Sequence, residues 1–146
     1  MTWDTMTMTS LNLPEEIDRL SLVKKFQSAD PTYPSDKEFH YTLIREEMKE
    51  VAEAYAELLK ELTDLEYVLV GATAKGIHEY PEDIVGNLYA FEHLYQAIPS
   101  AILNEAFVRV HKSNMSKLTD GKLVKREDGK ILKPESYEPP NMMELV

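Results

Sequence analysis

The chain has 146 residues, a formal net charge of −10 and no cysteine. This length suits one domain with its own core, although a domain of this size gains from oligomerisation. The acidity excludes a general binder of the nucleic-acid backbone, which needs a basic surface. The lack of cysteine excludes disulfides and thiol chemistry, and so favours a reducing compartment.

Residues 1–13 are rich in Thr and Met and show no clear periodicity, which predicts a flexible or loosely docked arm. They contain neither a basic region nor a long apolar run. We therefore expect no signal peptide and no membrane span, and a cytoplasmic protein.

Helices are predicted along most of residues 14–118. The first begins at Pro14 and ends near Ser28, with an apolar stripe of Ile17, Leu20, Val23 and Phe26. A loop with two prolines follows at 30–36. The second helix begins near Ser35 or Asp36, where Ser35 and Glu38 can form a capping box.

Beyond Asp64 the apolar residues become denser, which predicts a helix buried on most sides that ends at Gly76. A polar connection at 78–86 leads to a helix over 87–97. Pro99 and Ser100 open the last helix, which ends in a polar and basic segment.

Two Asp-Gly turns follow, at Asp120-Gly121 and Asp128-Gly129. Short apolar runs on both sides of the second turn predict a small β-hairpin, and residues 134–146 an extended tail. The predicted architecture is thus an all-α helical bundle over 14–118, followed by a hairpin and tail over 119–146.

Two carboxylate pairs lie in the acidic stretch from Arg45 to Asp64. We name Glu47 and Glu50 the first acidic pair, and Glu61 and Asp64 the second acidic pair. Residues three apart share one helix face, so each pair can direct two oxygens at one point. Carboxylate oxygens suit the hard cations Mg²⁺ and Mn²⁺.

Most acidic runs are solvated helix faces, and that alternative stays open here. Against it, Glu47 falls within an apolar stripe, and Glu61 lies between Leu58 and Leu65. A carboxylate that faces a core is costly unless a cation compensates it.

The two pairs are separated by fourteen residues, or about 21 Å along an unbroken helix. One metal ion cannot bind both pairs if they lie on the same unbroken helix. Either the helix breaks between residues 54 and 60, or pairs from different subunits combine.

A phosphate-binding counterpart is predicted after the last helix, where Lys112, Asn114 and Lys117 offer ammonium and amide donors. The alternative is a helix end whose cations offset the macrodipole. His111, Tyr67 and Trp3 are predicted to be structural or packing residues. Carboxylates, a divalent metal and no nucleophile favour metal-assisted hydrolysis of a phosphate compound by water.

These residues resemble the motifs of the MazG-like all-α nucleotide pyrophosphohydrolases. Arg45-Glu46-Glu47-x-x-Glu50 and Glu61-Leu62-x-Asp64 are similar to the E-E-x-x-E and E-x-x-D signatures of that family. The segment from Ala106 to Lys117, with S-N-M-S-K, and the later D-G-K and R-E-D-G-K-I-L-K resemble its short phage and bacterial branch.

The resemblance implies Mg²⁺-dependent hydrolysis of a nucleoside triphosphate to monophosphate and pyrophosphate, by a helical core that dimerisation or tetramerisation completes. It implies that both acidic pairs are metal ligands and that Glu46 supports or activates water. It also implies that Asn114 and Lys117 contact substrate and that Lys112 assists. A phage-encoded member would act in the host cytoplasm, and phage members of the MazZ type add dGTP and GTP to the candidate substrates.

Two features depart from the family pattern. The interval between the acidic pairs is short and lacks a Gly-Asp turn, and residues 78–97 resemble an insertion. Two other functions stay open: a phosphoribosyl-ATP pyrophosphohydrolase, and an acidic helical interaction module without enzymatic activity.

Overall fold

The computed structural model of the protein describes residue 14 and residues 16–146. The predicted arm at 1–13 lies outside this part of the chain. The described residues form four α-helices, which confirms the all-α prediction, and a short 3₁₀ helix: α1 (Arg19–Gln27), α2 (Lys37–Ala74), α3 (Glu82–Gln96), α4 (Ser100–Met115) and η1 (Met143–Leu145). No helix in this part of the chain combines the length and apolarity needed to cross a membrane.

The chain divides into two compact units, residues 1–44 and residues 45–146. The boundary falls within α2, after Ile44. Every candidate site residue belongs to the second unit.

Helix α1 begins five residues later than predicted. Asp18 caps it by accepting a hydrogen bond from the Ser21 amide at 3.1 Å, and so satisfies one of the amides that the first turn of a helix leaves unpaired. The predicted apolar stripe of α1 is exposed, from Ile17 to Phe26, so it does not form a core within this unit.

Helix α2 runs for 38 residues without interruption. Its N-cap is Asp36 rather than Ser35, because the Asp36 carboxylate accepts the Phe39 amide at 3.1 Å. The break considered between 54 and 60 does not occur, since that segment holds Ala, Leu, Glu and Lys, which favour helix, and neither Gly nor Pro. The helix ends before Gly76, whose φ of 79° turns the chain as predicted.

The core of the second unit lies where α2 meets α4 and the C-terminal residues. Leu59, Ala106 and Val110 are almost fully buried, and the Tyr95 hydroxyl donates a hydrogen bond to the Leu62 carbonyl at 2.5 Å. The buried apolar side chains are Ala56, Leu59, Leu62, Ile98, Ala106, Val110 and Met142.

Part of the apolar surface of α2 is not covered by residues 16–146. Met48, Val51 and Val68 expose 65%, 67% and 64% of their surface. The expectation that the helix after Asp64 is buried on most sides is therefore wrong for one chain, because α4 covers only one side of it. The predicted burial of Glu47 is likewise wrong for one chain. Glu47 is exposed, as are its apolar neighbours Met48 and Val51.

The two Asp-Gly turns are present, with φ of 75° at Gly121 and 88° at Gly129. Each turn is accompanied by one isolated antiparallel bridge, Thr119 with Lys122 and Lys125 with Ile131. No strand forms within residues 16–146, since the apolar runs are too short to extend the pairing. The predicted β-hairpin is therefore not confirmed, and only the turns and the two bridges are present in this segment of the described chain.

The C-terminal residues pack on the helices. Met142 is 4% exposed and joins the core, while the Arg109 guanidinium donates to the Asn141 carbonyl at 2.7 Å and to the Glu144 carboxylate at 2.8 Å. The predicted extended tail is thus a docked segment that contributes to the core.

Candidate metal and phosphate site

The acidic residues of α2 follow one helix face. Glu50, Glu57, Glu61 and Asp64 are spaced by seven, four and three residues, which keeps them on one side. Glu47 lies one step to the side of Glu50, also on this half of the helix. The sequence prediction that each pair shares a face therefore agrees with the observed helix.

The second acidic pair converges on a cation supplied by the chain. The Lys60 ammonium lies 3.1 Å from Glu61 Oε1 and 3.3 Å from Asp64 Oδ2. The hydrogen bond to Glu61 raises the pKa of Lys60. Because both carboxylates already present oxygens to one positive charge, their donor chemistry also suits a hard divalent ion at this place.

The first acidic pair and Glu46 are exposed on the preceding turns of α2. Because the helix is continuous, about 21 Å separates them from the second pair. Within residues 16–146 of one chain, no three His, Asp or Glu side chains lie close enough to share a metal ion. One chain thus brings together the two members of the second acidic pair, at Lys60, but not the four predicted ligands.

A half-buried carboxylate, Glu66, lies two residues beyond Asp64. Burial raises the pKa of Glu66, and burial together with the nearby Glu66 raises the pKa of Tyr95. The charged form of Glu66 is therefore disfavoured in the folded protein.

Glu66→Gln is expected to raise the melting temperature at neutral pH. A carboxyl group whose pKa is higher in the folded than in the unfolded state binds its proton more tightly when the protein is folded. Its contribution to stability is therefore fully present below the pKa of the unfolded state. That contribution is lost as the pH rises through the pKa of the folded state. Thermal scans from pH 4 to 8 measure this, with the exposed Glu79→Gln as control. A gain for Glu66→Gln that does not shrink toward pH 4 contradicts the prediction.

At the C-terminal end of α4, the structure brings together two of the three predicted phosphate contacts. The Lys117 ammonium donates to Asn114 Oδ1 at 2.8 Å and lies 5.7 Å from the centre of the Tyr137 ring. Lys112 is exposed on another side of the helix, where it lines a cavity of about 290 Å³ with Arg109 and Glu138. Asn114 and Lys117 thus form a pair, and Lys112 is separate from it.

The sequence did not indicate three residues that the structure brings to this region. Lys60 belongs to the predicted helix, and its position directly before Glu61 is the signal in the sequence for their ion pair. Tyr67 and His111, predicted to be structural, form a hydrogen bond of 3.0 Å although they are 44 residues apart. Periodicity within one helix cannot reveal such a pair.

The resemblance to the MazG-like enzymes rests on the motifs of the sequence. No protein-family model, no curated protein and no solved structure matches this chain.

Proposed function

We propose that this protein is a divalent-metal-dependent nucleoside triphosphate diphosphohydrolase, which acts on a nucleoside or deoxynucleoside triphosphate, with dGTP and GTP among the candidates. The observation that carries the proposal is the convergence of Glu61 and Asp64 on one positive charge, at 3.1 and 3.3 Å. Two carboxylates held by consecutive turns of a helix form a rigid half of a metal site. The acidic motifs and the S-N-M-S-K segment support the same function.

The reaction needs water as nucleophile. Water forms a new P–O bond, the anhydride P–O bond between the α- and β-phosphorus breaks, and pyrophosphate leaves. A bound Mg²⁺ or Mn²⁺ would supply charge neutralisation and a more acidic water. Glu47, Glu50, Glu61 and Asp64 would hold the ion, and Glu46 would accept the proton of the attacking water.

The unbroken helix favours a site shared by two copies of the chain. The midpoint between the two acidic pairs falls between Tyr55 and Ala56 along the helix. A two-fold axis that crosses the exposed face of α2 at this height places the first pair of one copy beside the second pair of the other. The same axis brings exposed Val51, at 67%, near exposed Leu58, at 41%, of the partner. Burial of these apolar side chains would stabilise the homodimer.

The anionic substrate needs positive charge, which is scarce in a chain of net charge −10. Lys117 and Asn114 form a preassembled donor pair at the end of α4. They would bind phosphate oxygens, and exposed Lys112 would add charge.

The function is tested by incubating the purified protein with each ribonucleoside and deoxynucleoside triphosphate, with Mg²⁺ or Mn²⁺ and with chelator as control. We expect monophosphate and pyrophosphate in equal amounts, and no turnover with chelator. Phosphoribosyl-ATP is included in the same panel.

Three results contradict the proposal. Release of orthophosphate alone means that a different bond breaks, and cleavage of phosphoribosyl-ATP with inert nucleoside triphosphates assigns the related activity instead. No turnover on any substrate, together with unchanged metal affinity in Asp64→Asn, indicates the non-enzymatic interaction module.

A further inference from the structure

An open apolar cavity of about 280 Å³ lies between α2 and α4. Its lining residues are Tyr67, Val70, Gly71, Ala74, Phe107 and His111. Three of these are aromatic, and the Tyr67 ring lies 5.4 Å from Phe107 and 6.0 Å from His111, centre to centre. The interplanar angles are 35° and 30°, so the Tyr67 ring is tilted against Phe107 and stacked on His111.

The floor of the cavity is open at Gly71. A Cβ atom added there meets no heavy atom within 4 Å, so a larger side chain at this position has room to extend into the cavity. The polar atoms are limited to one edge, where the Tyr67 hydroxyl and His111 Nδ1 are 3.0 Å apart. A planar group can therefore lie on aromatic and aliphatic surface with a hydrogen-bonding edge beside it.

The cavity continues the acidic face of α2. Asp64, Tyr67, Gly71 and Ala74 are spaced by three, four and three residues, so they form one stripe. Gly71 lies about 10 Å along the helix from Asp64. In a nucleotide, the sugar separates the base from the phosphates by a distance comparable to that between Gly71 and Asp64. Phosphates bound to a metal ion at Asp64 would therefore place the base near Gly71.

The same order holds on α4. Phe107, His111 and Asn114 are spaced by four and three residues and share one face. Aromatic rings thus lead to a predicted metal ligand, Asp64, on α2 and to a predicted phosphate contact, Asn114, on α4.

We propose that this cavity binds the purine base of the substrate by stacking, an inference that rests on the proposed function for the position of the phosphates. The cavity is slightly smaller than pockets that enclose a whole small molecule, which begin at about 300 Å³. It therefore holds the base while sugar and phosphates extend toward Asp64. Because purines offer more ring surface than pyrimidines, they bind more tightly here.

Gly71→Leu tests the site by filling the cavity. The residue lies in the exposed part of a helix, and Leu favours helix more than Gly does, so the fold is preserved. Gly86→Leu is the matched control, since Gly86 lies in α3 and also has nothing within 4 Å of an added Cβ. Tyr67→Leu is a second variant, which removes the stacking surface without filling the space.

The first measurement is the affinity for adenosine monophosphate and guanosine monophosphate. It is determined by calorimetry and by the shifts of aromatic protons in NMR spectra. This binding does not require hydrolysis. We expect Gly71→Leu and Tyr67→Leu to weaken it about tenfold or more, and Gly86→Leu to leave it unchanged. The second measurement is KM for the triphosphates, which should rise in the same two variants with little change in kcat.

The two proposals fail in different ways. If triphosphates are hydrolysed but Gly71→Leu binds monophosphates and triphosphates as tightly as the wild type, the base site is wrong and the function stands. If monophosphates bind in the cavity but no triphosphate is cleaved, the base site stands and the function is wrong. If Gly71→Leu changes only self-association, measured by ultracentrifugation, a second copy fills the cavity and the base site is wrong.

Discussion

Asp64→Asn is expected to lower metal-dependent pyrophosphate release by about 100-fold or more, since loss of a partner that merely orients a metal ligand already costs 10- to 100-fold. The substitution keeps the shape of the side chain but removes the charge that binds a hard cation. Its effect on folding is small, because the Lys60–Asp64 ion pair is partly exposed and such pairs contribute about 0–1 kcal/mol. Pyrophosphate release, Mn²⁺ affinity and the melting temperature are measured together.

Glu57→Gln is the matched control for Asp64→Asn. Glu57 is exposed on the same face of α2, seven residues before Asp64, but belongs to neither acidic pair. We expect it to retain activity and metal affinity. Equal losses in both variants would show that the general negative charge of this face matters, and that the second acidic pair has no special role.

A mixing experiment tests whether two copies share the site. Glu50→Gln and Asp64→Asn chains are each expected to be inactive, but a heterodimer of the two contains one site with four native carboxylates. After unfolding and refolding in a mixture, half of the dimers are mixed and one of their two sites is intact, so about a quarter of the wild-type activity should return. No recovery in a mixture that contains heterodimers contradicts the shared site.

Leu59→Ala has the largest expected effect on stability. Leu59 is 0% exposed, in the core between α2 and α4, and its truncation leaves a cavity that costs about 3 kcal/mol. For a chain of this length that corresponds to a fall of about 10 °C in melting temperature. Calorimetry or denaturant unfolding measures the change.

Leu58→Ala is the control, at the neighbouring position, where the side chain is 41% exposed. In dilute protein we expect it to cost less than about 1 kcal/mol. If two copies pair along this face, its cost increases with protein concentration, whereas that of Leu59→Ala does not. Equal costs in dilute protein would contradict the assignment of Leu59 to the core of one chain.

The sequence was sufficient for features that depend on a few adjacent residues. The start of α4 at Pro99-Ser100 and the turn at Gly76 were predicted, because proline and glycine restrict the backbone locally. The spacing of each acidic pair also follows from helix geometry alone.

Features that depend on distant residues could not be predicted. The apolar stripe at Met48 and Val51 predicted burial, yet periodicity shows only which side of a helix is apolar and not whether anything covers it. The contact of Tyr67 with His111 and the burial of Met142 each join segments far apart in the chain. Two arguments disagree on the continuity of α2. Residues 54–60 contain no residue that ends a helix, whereas a metal site formed by one chain requires a turn there.

The docked C-terminal segment has a consequence for biosynthesis. Met142, which completes the core, is translated after all four helices, and so is Glu144, which holds Arg109. A nascent chain can form its helices during translation, but the apolar surface that Met142 covers stays accessible to chaperones or other nascent chains until the ribosome has finished these residues. Premature termination before Met142 would therefore yield a helical product prone to aggregation.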